Sequence, residues 1–279
     1  MENRALIKCG GYTLEMGKRT YIMGILNVTP DSFSDGGDFC DVEKAVEHAK
    51  ELLAQGADII DIGGESTRPG SEEVGAGEEL ARVLPVVKRL FQEVNVPISV
   101  DTYKAGVAEE VLKAGAHIIN DVWGLTKDAG MAEVVARYQV PVILMHNQIG
   151  TEYRNDIMEE IKRFLGEAIK KALRAGVKKE NIIIDPGIGF GKNPEQSMEV
   201  MARLAELQDL GYPVLLGTSR KSMLGKILDL PPKERVTGTV ATTVLGITRG
   251  VDFVRVHDVQ ENCQAAQVTD AIIRGRYHG

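Results

Sequence analysis

Short apolar runs alternate along the chain with longer stretches whose apolar residues recur at helical spacing. The clearest joint has the form glycine, two residues, two apolar residues, one polar residue. It occurs as Gly56-Ala-Asp-Ile-Ile-Asp61, Gly115-Ala-His-Ile-Ile-Asn120 and Gly250-Val-Asp-Phe-Val-Arg255. An amphipathic stretch precedes each glycine, so the glycine reads as a left-handed helix cap and the apolar pair as a short buried strand. Three more strands open with proline, which a first strand position tolerates: Pro97-Ile-Ser-Val-Asp101, Pro141-Val-Ile-Leu-Met-His146 and Pro213-Val-Leu-Leu-Gly-Thr218. With Tyr21-Ile-Met-Gly-Ile-Leu-Asn27 and Ile182-Ile-Ile-Asp185 the count reaches eight. Between them, Asp41 can cap a helix carrying Val42, Ala45, Val46, Ala49, Leu52 and Leu53 on one face. Asn193-Pro194 opens another, with Met198, Met201, Leu204 and Ala205 at helical spacing and Gly211 as its close.

Strands apolar on both faces, alternating with amphipathic helices, predict a parallel sheet. Eight such units favour closure into a (β/α)₈ TIM barrel over an open doubly wound sheet. Residues 1–279 are expected to form one barrel domain, with residues 1–19 as an N-terminal extension. In it, Gly10-Gly11 separates two short runs between Ala5 and Glu15, which predicts a β-hairpin outside the barrel with no chemistry of its own.

Composition narrows the function. Of 279 residues, 43% are hydrophobic and 26% charged, enough to bury a core. Cys9, Cys40 and Cys263 lie far apart and form no metal-ligand or disulfide pattern. No apolar run approaches the roughly 20 residues of a membrane span, and the amino terminus lacks the apolar stretch of a signal peptide. A soluble, cytoplasmic protein without a membrane partner is the expectation. A net charge of −7 argues against nucleic acid, so an anionic substrate must meet a local cluster of positive groups.

In such a barrel the chemistry sits where the strands end. That rule selects Asn27, Asp61, Asp101, Asn120, Asp121, His146, Asp185, Ser219, Lys221, Arg255 and His257. Any one of them alone is as well explained by capping a helix or holding a loop. A ring drawn from different strands points to a site. Two loops stand out above it: Asn27-Val-Thr-Pro-Asp-Ser-Phe-Ser-Asp-Gly-Gly37, composed like a mobile lid, and Gly63-Gly-Glu-Ser-Thr-Arg-Pro-Gly70, with Arg68 between glycines.

As whole strings, MGILNVTPDSFSDGG and DIGGESTRPG resemble the two signature loops of the dihydropteroate synthase family of pterin-binding transferases. IIDPGIGFGK, GTSRKS and RVHDV follow in that family's order, so the resemblance extends through most of the barrel. One departure follows Met145-His146. There the family often has a Gly-x-Pro turn and this chain reads Asn147-Gln-Ile-Gly-Thr-Glu-Tyr153, which leaves the shape of that loop open.

The resemblance implies condensation of p-aminobenzoate with a dihydropterin methyl diphosphate, giving 7,8-dihydropteroate and pyrophosphate in folate biosynthesis. It also implies a homodimer. A carboxylate matches the row of donors on a pterin's pyrimidine edge, and Asp185 is the candidate. Asn120, Lys221 and Asp101 complete the pterin group, with a buried Asp–Lys ion pair as the purely structural alternative. Arg255 and His257 share a face of one strand and, with Arg68 and Asn27, suit the diphosphate. Asn27 can lend its amide oxygen to a Mg²⁺ held otherwise by phosphate oxygens and water. Phe33, Thr67, Pro69 and Phe190 are the implied wall around p-aminobenzoate, where sulfonamides should compete. Ser222, at the start of a helix, suits its carboxylate. Asp61, Asp121 and His146 have no assigned step, and Trp123 and Met145 read equally well as packing. Two other readings remain: a pterin-barrel methyltransferase serving a corrinoid, and a non-catalytic pterin-binding barrel.

Overall fold

The computed structural model describes residues 6–29, 38–65 and 73–275. A hairpin of β1 (Leu6–Cys9) and β2 (Tyr12–Glu15) precedes the alternating units. These are β3 (Tyr21–Asn27), α1 (Asp38–Ala54), β4 (Ile59–Gly63), α2 (Ala76–Glu93), β5 (Ile98–Asp101), α3 (Ala105–Lys113), β6 (Ile118–Asp121) and α4 (Met131–Tyr138). There follow β7 (Val142–Met145), α5 (Ile157–Ala175), β8 (Ile182–Asp185), α6 (Pro194–Ala202), β9 (Leu215–Leu216), α7 (Ser222–Leu228), α8 (Val236–Thr248), β10 (Phe253–Val256) and α9 (Val259–Arg274).

All eight expected strands form and run parallel in the order β8-β7-β6-β5-β4-β3-β10-β9. Each is flanked by its sequence neighbours, and a parallel bridge between Ile184 and Val214 links the two ends, which is the barrel rather than the open sheet. The prolines before β5, β7 and β9 cannot donate to the ladder, but each carbonyl accepts from the preceding strand. Ile60 N–H reaches Pro97 O at 3.2 Å, Ile119 N–H reaches Pro141 O at 3.1 Å and Ile184 N–H reaches Pro213 O at 2.9 Å. The seventh barrel strand is shorter than its apolar run, because only Leu215–Leu216 has ladder geometry.

The three glycine joints are built alike. Gly56, Gly115 and Gly250 have φ of 104°, 110° and 91°. The residue after each donates five positions back, Ala57 to Leu52, Ala116 to Val111 and Val251 to Gly246, at 2.9–3.1 Å. Each glycine donates three back, to Leu53, Leu112 and Ile247. This left-handed cap satisfies the last carbonyls of the helix and turns the chain straight into the next strand.

Two helix boundaries differ from expectation. Helix α1 begins at Asp38, so Asp41 lies inside it and does not cap it. Helix α6 opens as expected, with Asn193 and Gln196 exchanging a capping box, but it ends at Ala202. A tighter helical segment, Leu204–Leu210, follows, and Gly211 closes that segment instead.

Strand side chains alternate between the barrel axis and the helix layer. Met23, Ile59, Ile118, Ile143, Ile183, Leu215 and Phe253 point inward low in the barrel and are fully buried. Ile7, Cys9, Leu14 and Met16 of the hairpin pack against them, so the extension plugs the bottom of the barrel. Burial pushes the Cys9 thiol up to about 12, leaving it inert. Outward-facing Ile60, Ile62, Val100, Ile119 and Ile184 form the larger core with the helices. No helix among the described residues is long and apolar enough to cross a membrane.

At Gly115 a β-carbon would stand 2.4 Å from the Phe91 ring, on a backbone with φ of 110°. Phe91 is half exposed and can swing aside, so backbone strain is the larger cost. Gly115→Ala is expected to lower stability by about 1–2 kcal/mol, read as a fall in the urea midpoint at unchanged slope.

Candidate active site

Above the apolar layer, the same alternation carries Asn27, Asp61, Gly63, Asp101, Asn120, Met145, Asp185, Gly217 and Arg255 toward the axis at the strand ends. Asp121 and His146 each follow an inward residue directly and so face the helices. Asp121 accepts from Trp123 N–H at 2.9 Å and Leu125 N–H at 2.8 Å, holding the turn after β6. His146 packs edge-on against Phe164 at 4.9 Å. Both are support for the site rather than members of it. Gly63 and Gly217 put no side chain into the ring, where a β-carbon would already touch Asn27 and Asp101 at the first and Arg255 and Lys221 at the second.

Arg255 joins the acidic members. Its Nε donates to Asp61 Oδ2 at 2.6 Å and its Nη2 to Asp101 Oδ2 at 2.9 Å. Asn120 Nδ2 donates to the same Asp61 oxygen at 3.2 Å. Asp61, fully buried, is therefore the hub that fixes both an amide and a guanidinium. The other oxygens, Asp61 Oδ1 and Asp101 Oδ1, are buried without a hydrogen-bond partner, as is Ser99 Oγ beside them in the β4–β5 register. Buried acceptors left open are costly in an empty site and serve a ligand or water that brings donors. Burial pushes the Asp101 carboxyl up to about 7 despite Arg255, with Asp61 adding repulsion.

Across the ring, Asp185 Oδ1 accepts from Gly187 N–H at 2.7 Å. Burial raises this carboxyl too, against the pull of Lys221, the Gly187 N–H, Lys192 and Arg255. Lys221 donates to Ile188 O and lies 4.6 Å over the Phe190 ring. Burial brings its ammonium down to about 8, with Asp185 opposing. The turn before Lys221 is strained and braced. Arg220 has φ of 59°, its Nε donates to Asp258 at 3.0 Å, and Arg235 donates to its carbonyl at 3.0 Å. His257 Nδ1 lies 2.9 Å from Ser219 Oγ, and Ser222 is exposed as the first residue of α7.

The expected Asp101, Asn120, Asp185, Lys221 and Arg255 thus share one mouth, with Asn27, His257 and Phe190 at its rim. Phe33, Thr67, Arg68 and Pro69 lie outside the described residues. The loop after β7 folds against the turn after β8, with Tyr153 Oη donating to Gly191 O at 2.9 Å. Sequence reasoning left one member of the ring, and one residue behind it, without a role. Asp61 was one of several strand-end acids, although its inward parity matches that of Asn120. Lys192, 5% exposed, was a letter within a motif. Among the described residues no group of three or more His, Cys, Asp or Glu side chains could hold a metal.

Residues 23–257 match the family model described as pterin binding enzyme. The dihydropteroate synthase of Clostridium beijerinckii is 58% identical over 269 residues, 96% of this chain and 100% of that protein. The chain belongs to the dihydropteroate synthase family. Among solved structures, the dihydropteroate synthase of Clostridium difficile in the presence of pteroic acid superposes with a TM-score of 0.92 at 63% identity, covering 94% of this chain and 99% of that one. That of Xanthomonas albilineans with 4-aminobenzoic acid gives 0.92 at 44% identity, covering 97% and 98%. As a dihydropteroate synthase the chain condenses p-aminobenzoate with (7,8-dihydropterin-6-yl)methyl diphosphate, yielding 7,8-dihydropteroate and pyrophosphate. The corrinoid and non-catalytic readings fall away.

A carboxyl raised in the fold from 3.8 to about 7 favours the protonated form there. The stability it contributes is fully present below the unfolded value and is lost as pH rises through the folded one. The stability difference between wild type and Asp101→Asn is therefore expected to move in the variant's favour as pH rises from about 4 to about 7. Urea unfolding of both proteins at several pH values measures this, and a constant difference would contradict it.

Proposed function

We propose that the ring divides the reaction into a pterin side and a diphosphate side that meet where Gly63 and Gly217 put no side chain into it. The observation that carries this is the Asp61–Arg255–Asp101 bridge, whose guanidinium lies between unpartnered carboxylate oxygens and the mouth of the barrel. On the pterin side, Asp185 has one oxygen on Gly187 N–H and turns the other to the ring's N–H donors. Asn120, fixed by Asp61, supplies an amide edge, and Asp101 Oδ1 accepts a further ring donor. Lys221 meets the ring carbonyl.

On the diphosphate side, Arg255 uses Nε and Nη2 for the two aspartates and keeps its remaining donors for a phosphate oxygen. His257 and Arg68 add positive charge or donors. The carbon–oxygen bond to the diphosphate breaks, its electron pair leaving with pyrophosphate while the positive charge on the methylene carbon spreads into the pterin. The aniline nitrogen of p-aminobenzoate then bonds to that carbon and gives up a proton. Because this amine is already neutral near pH 7, no strong base is required. Positioning and stabilisation of the departing charge carry the rate. Phe33, Thr67, Pro69 and Phe190 wall the p-aminobenzoate ring, where sulfonamides compete, and Ser222 meets its carboxylate.

Mg²⁺ fits the same mouth. Asn27 offers a hard amide oxygen facing the gap at Gly63, where even a β-carbon would stand 3.6 Å from it. When bound, the ion would neutralise charge on the diphosphate, whose own oxygens and water provide its other ligands. We place the enzyme in the cytoplasm as a homodimer. Exposed Leu245 on α8 and Val268, Ile272 and Ile273 on α9 supply an apolar surface for a second copy.

Arg255→Ala and Asp185→Asn are each expected to reduce turnover by about 100-fold or more in folded protein, measured by pyrophosphate release. Near-normal turnover removes that residue from the mechanism, and release independent of p-aminobenzoate would mark a hydrolase. Omitting Mg²⁺ should weaken binding of the pterin diphosphate far more than binding of dihydropteroate. Calorimetry of both ligands checks this, and equal affinities with and without the ion would count against Asn27 as its protein ligand.

A further inference from the structure

Lys192 lies behind the ring, out of reach of the open mouth, yet it is among the most buried charged side chains of the described chain. The segment Pro186-Gly-Ile-Gly-Phe-Gly191 curls around its Nζ. Gly187 O and Phe190 O each accept at 3.0 Å, and His146 Nδ1 lies at 2.8 Å. An ammonium has three N–H donors, and all find acceptors here. A neutral amine has two, so His146 Nδ1 must then carry a proton and donate to the nitrogen lone pair. Either way the pair is satisfied inside the protein. Burial, followed by Lys192, pulls the His146 imidazole down to about 3, which keeps it neutral.

Each carbonyl held by Lys192 belongs to a residue with business in the ring. Gly187, whose carbonyl it takes, gives its N–H to Asp185 Oδ1 at 2.7 Å. Gly187 can sit there only without a side chain, because a β-carbon would fall 2.0 Å from His146 O. Phe190, the second carbonyl, places its ring beneath Lys221 at 4.6 Å. Ile188 between them turns its carbonyl the other way, to Lys221. The turn is therefore pinned by one lysine behind it and another in front.

We propose that Lys192 is a positioning residue for the transfer reaction, acting through Gly187 on the orientation and charge of Asp185. This rests on the assignment of Asp185 to the pterin. The charged groups facing Asp185 are Lys221 from the start of α7, Arg255 from β10 and Lys192 from its own loop. Those facing Lys192 are Asp185 and Lys221, with neutral His146 in contact. Burial brings Lys192 itself down to about 7, so on the acid side, where Asp185 takes up its proton, Lys192 is charged and its removal takes away one of the three cations that keep Asp185 ionised. Asp185 should then hold its proton to higher pH and lose the lever that aims it.

The test compares Lys192→Met, Lys192→Gln and Asp185→Asn with wild type, using pyrophosphate release between pH 5 and 9 and thermal unfolding of each. Lys192→Gln retains two donors for the carbonyls, so it remains informative if the methionine variant does not fold. The expected result is a loss of about 10- to 100-fold in kcat/KM, together with an acid limb of the pH profile about one unit higher. A lowered melting temperature with unchanged kcat/KM and profile would overturn the proposal, as would lost activity without movement of the acid limb. Normal turnover by Asp185→Asn would instead remove the assignment on which the proposal rests.

Discussion

A closed eight-stranded barrel has an interior just wide enough for side chains, and every second residue of every strand must enter it. That constraint governs the rest of the molecule. Low in the barrel the inward positions are isoleucine, leucine, methionine and phenylalanine, and the hairpin closes the opening beneath them. At the strand ends the same alternation has no apolar partner to meet. There it delivers Asp61, Asp101, Asn120, Asp185 and Arg255 to one place. The dry layer below raises the strength of every charge above it, since water can reach the ring only from the mouth.

Burial raises the carboxyls of Asp101 and Asp185, and with Asp61 three aspartates crowd in this place. Arg255 relieves two of them through a guanidinium whose planar fork fixes both at once. The relief is incomplete, because each of these carboxylates retains a buried oxygen without a donor. Under the proposed assignment, N–H donors of the pterin meet these oxygens and the diphosphate meets the remaining donors of Arg255.

What could be read from the sequence was local. Proline at a strand start, glycine five residues before a strand-end polar group and the Asn193-Pro194 helix start each act within a few residues, and all appear as expected. The start of α1 lies four residues before the one that a cap at Asp41 predicts, because Asp41 has the chemistry of a cap and nothing in its neighbourhood says the helix is already under way. The seventh strand was read too long because an apolar run does not reveal how many of its residues reach a neighbour's ladder. Asp61 and Lys192 escaped for a different reason. Their meaning lies in partners 40 or more residues away, Arg255 and Asn120 for one and His146 for the other. Alternation alone, however, already separates Asn120 from Asp121 and Met145 from His146, and it assigns the second of each pair to the supporting layer.

The two sides of the ring restrain their carboxylates by different means, and the difference suits what each must do. Asp61 and Asp101 are tied by a rigid fork, so the guanidinium of Arg255 has a fixed direction. Asp185 is restrained by one backbone N–H and by the diffuse field of two lysines, neither of which bonds to it directly. Ammonium groups act as point charges and impose little geometry, so the free oxygen of Asp185 is left room to adjust to the flat ring proposed to bind there. The cost is that aim must come from the backbone. A glycine turn with positive φ at Gly187, Gly189 and Gly191 has little stiffness of its own. Its rigidity has to be supplied from outside the ring, and the buried amine of Lys192 touches the turn at two of its carbonyls.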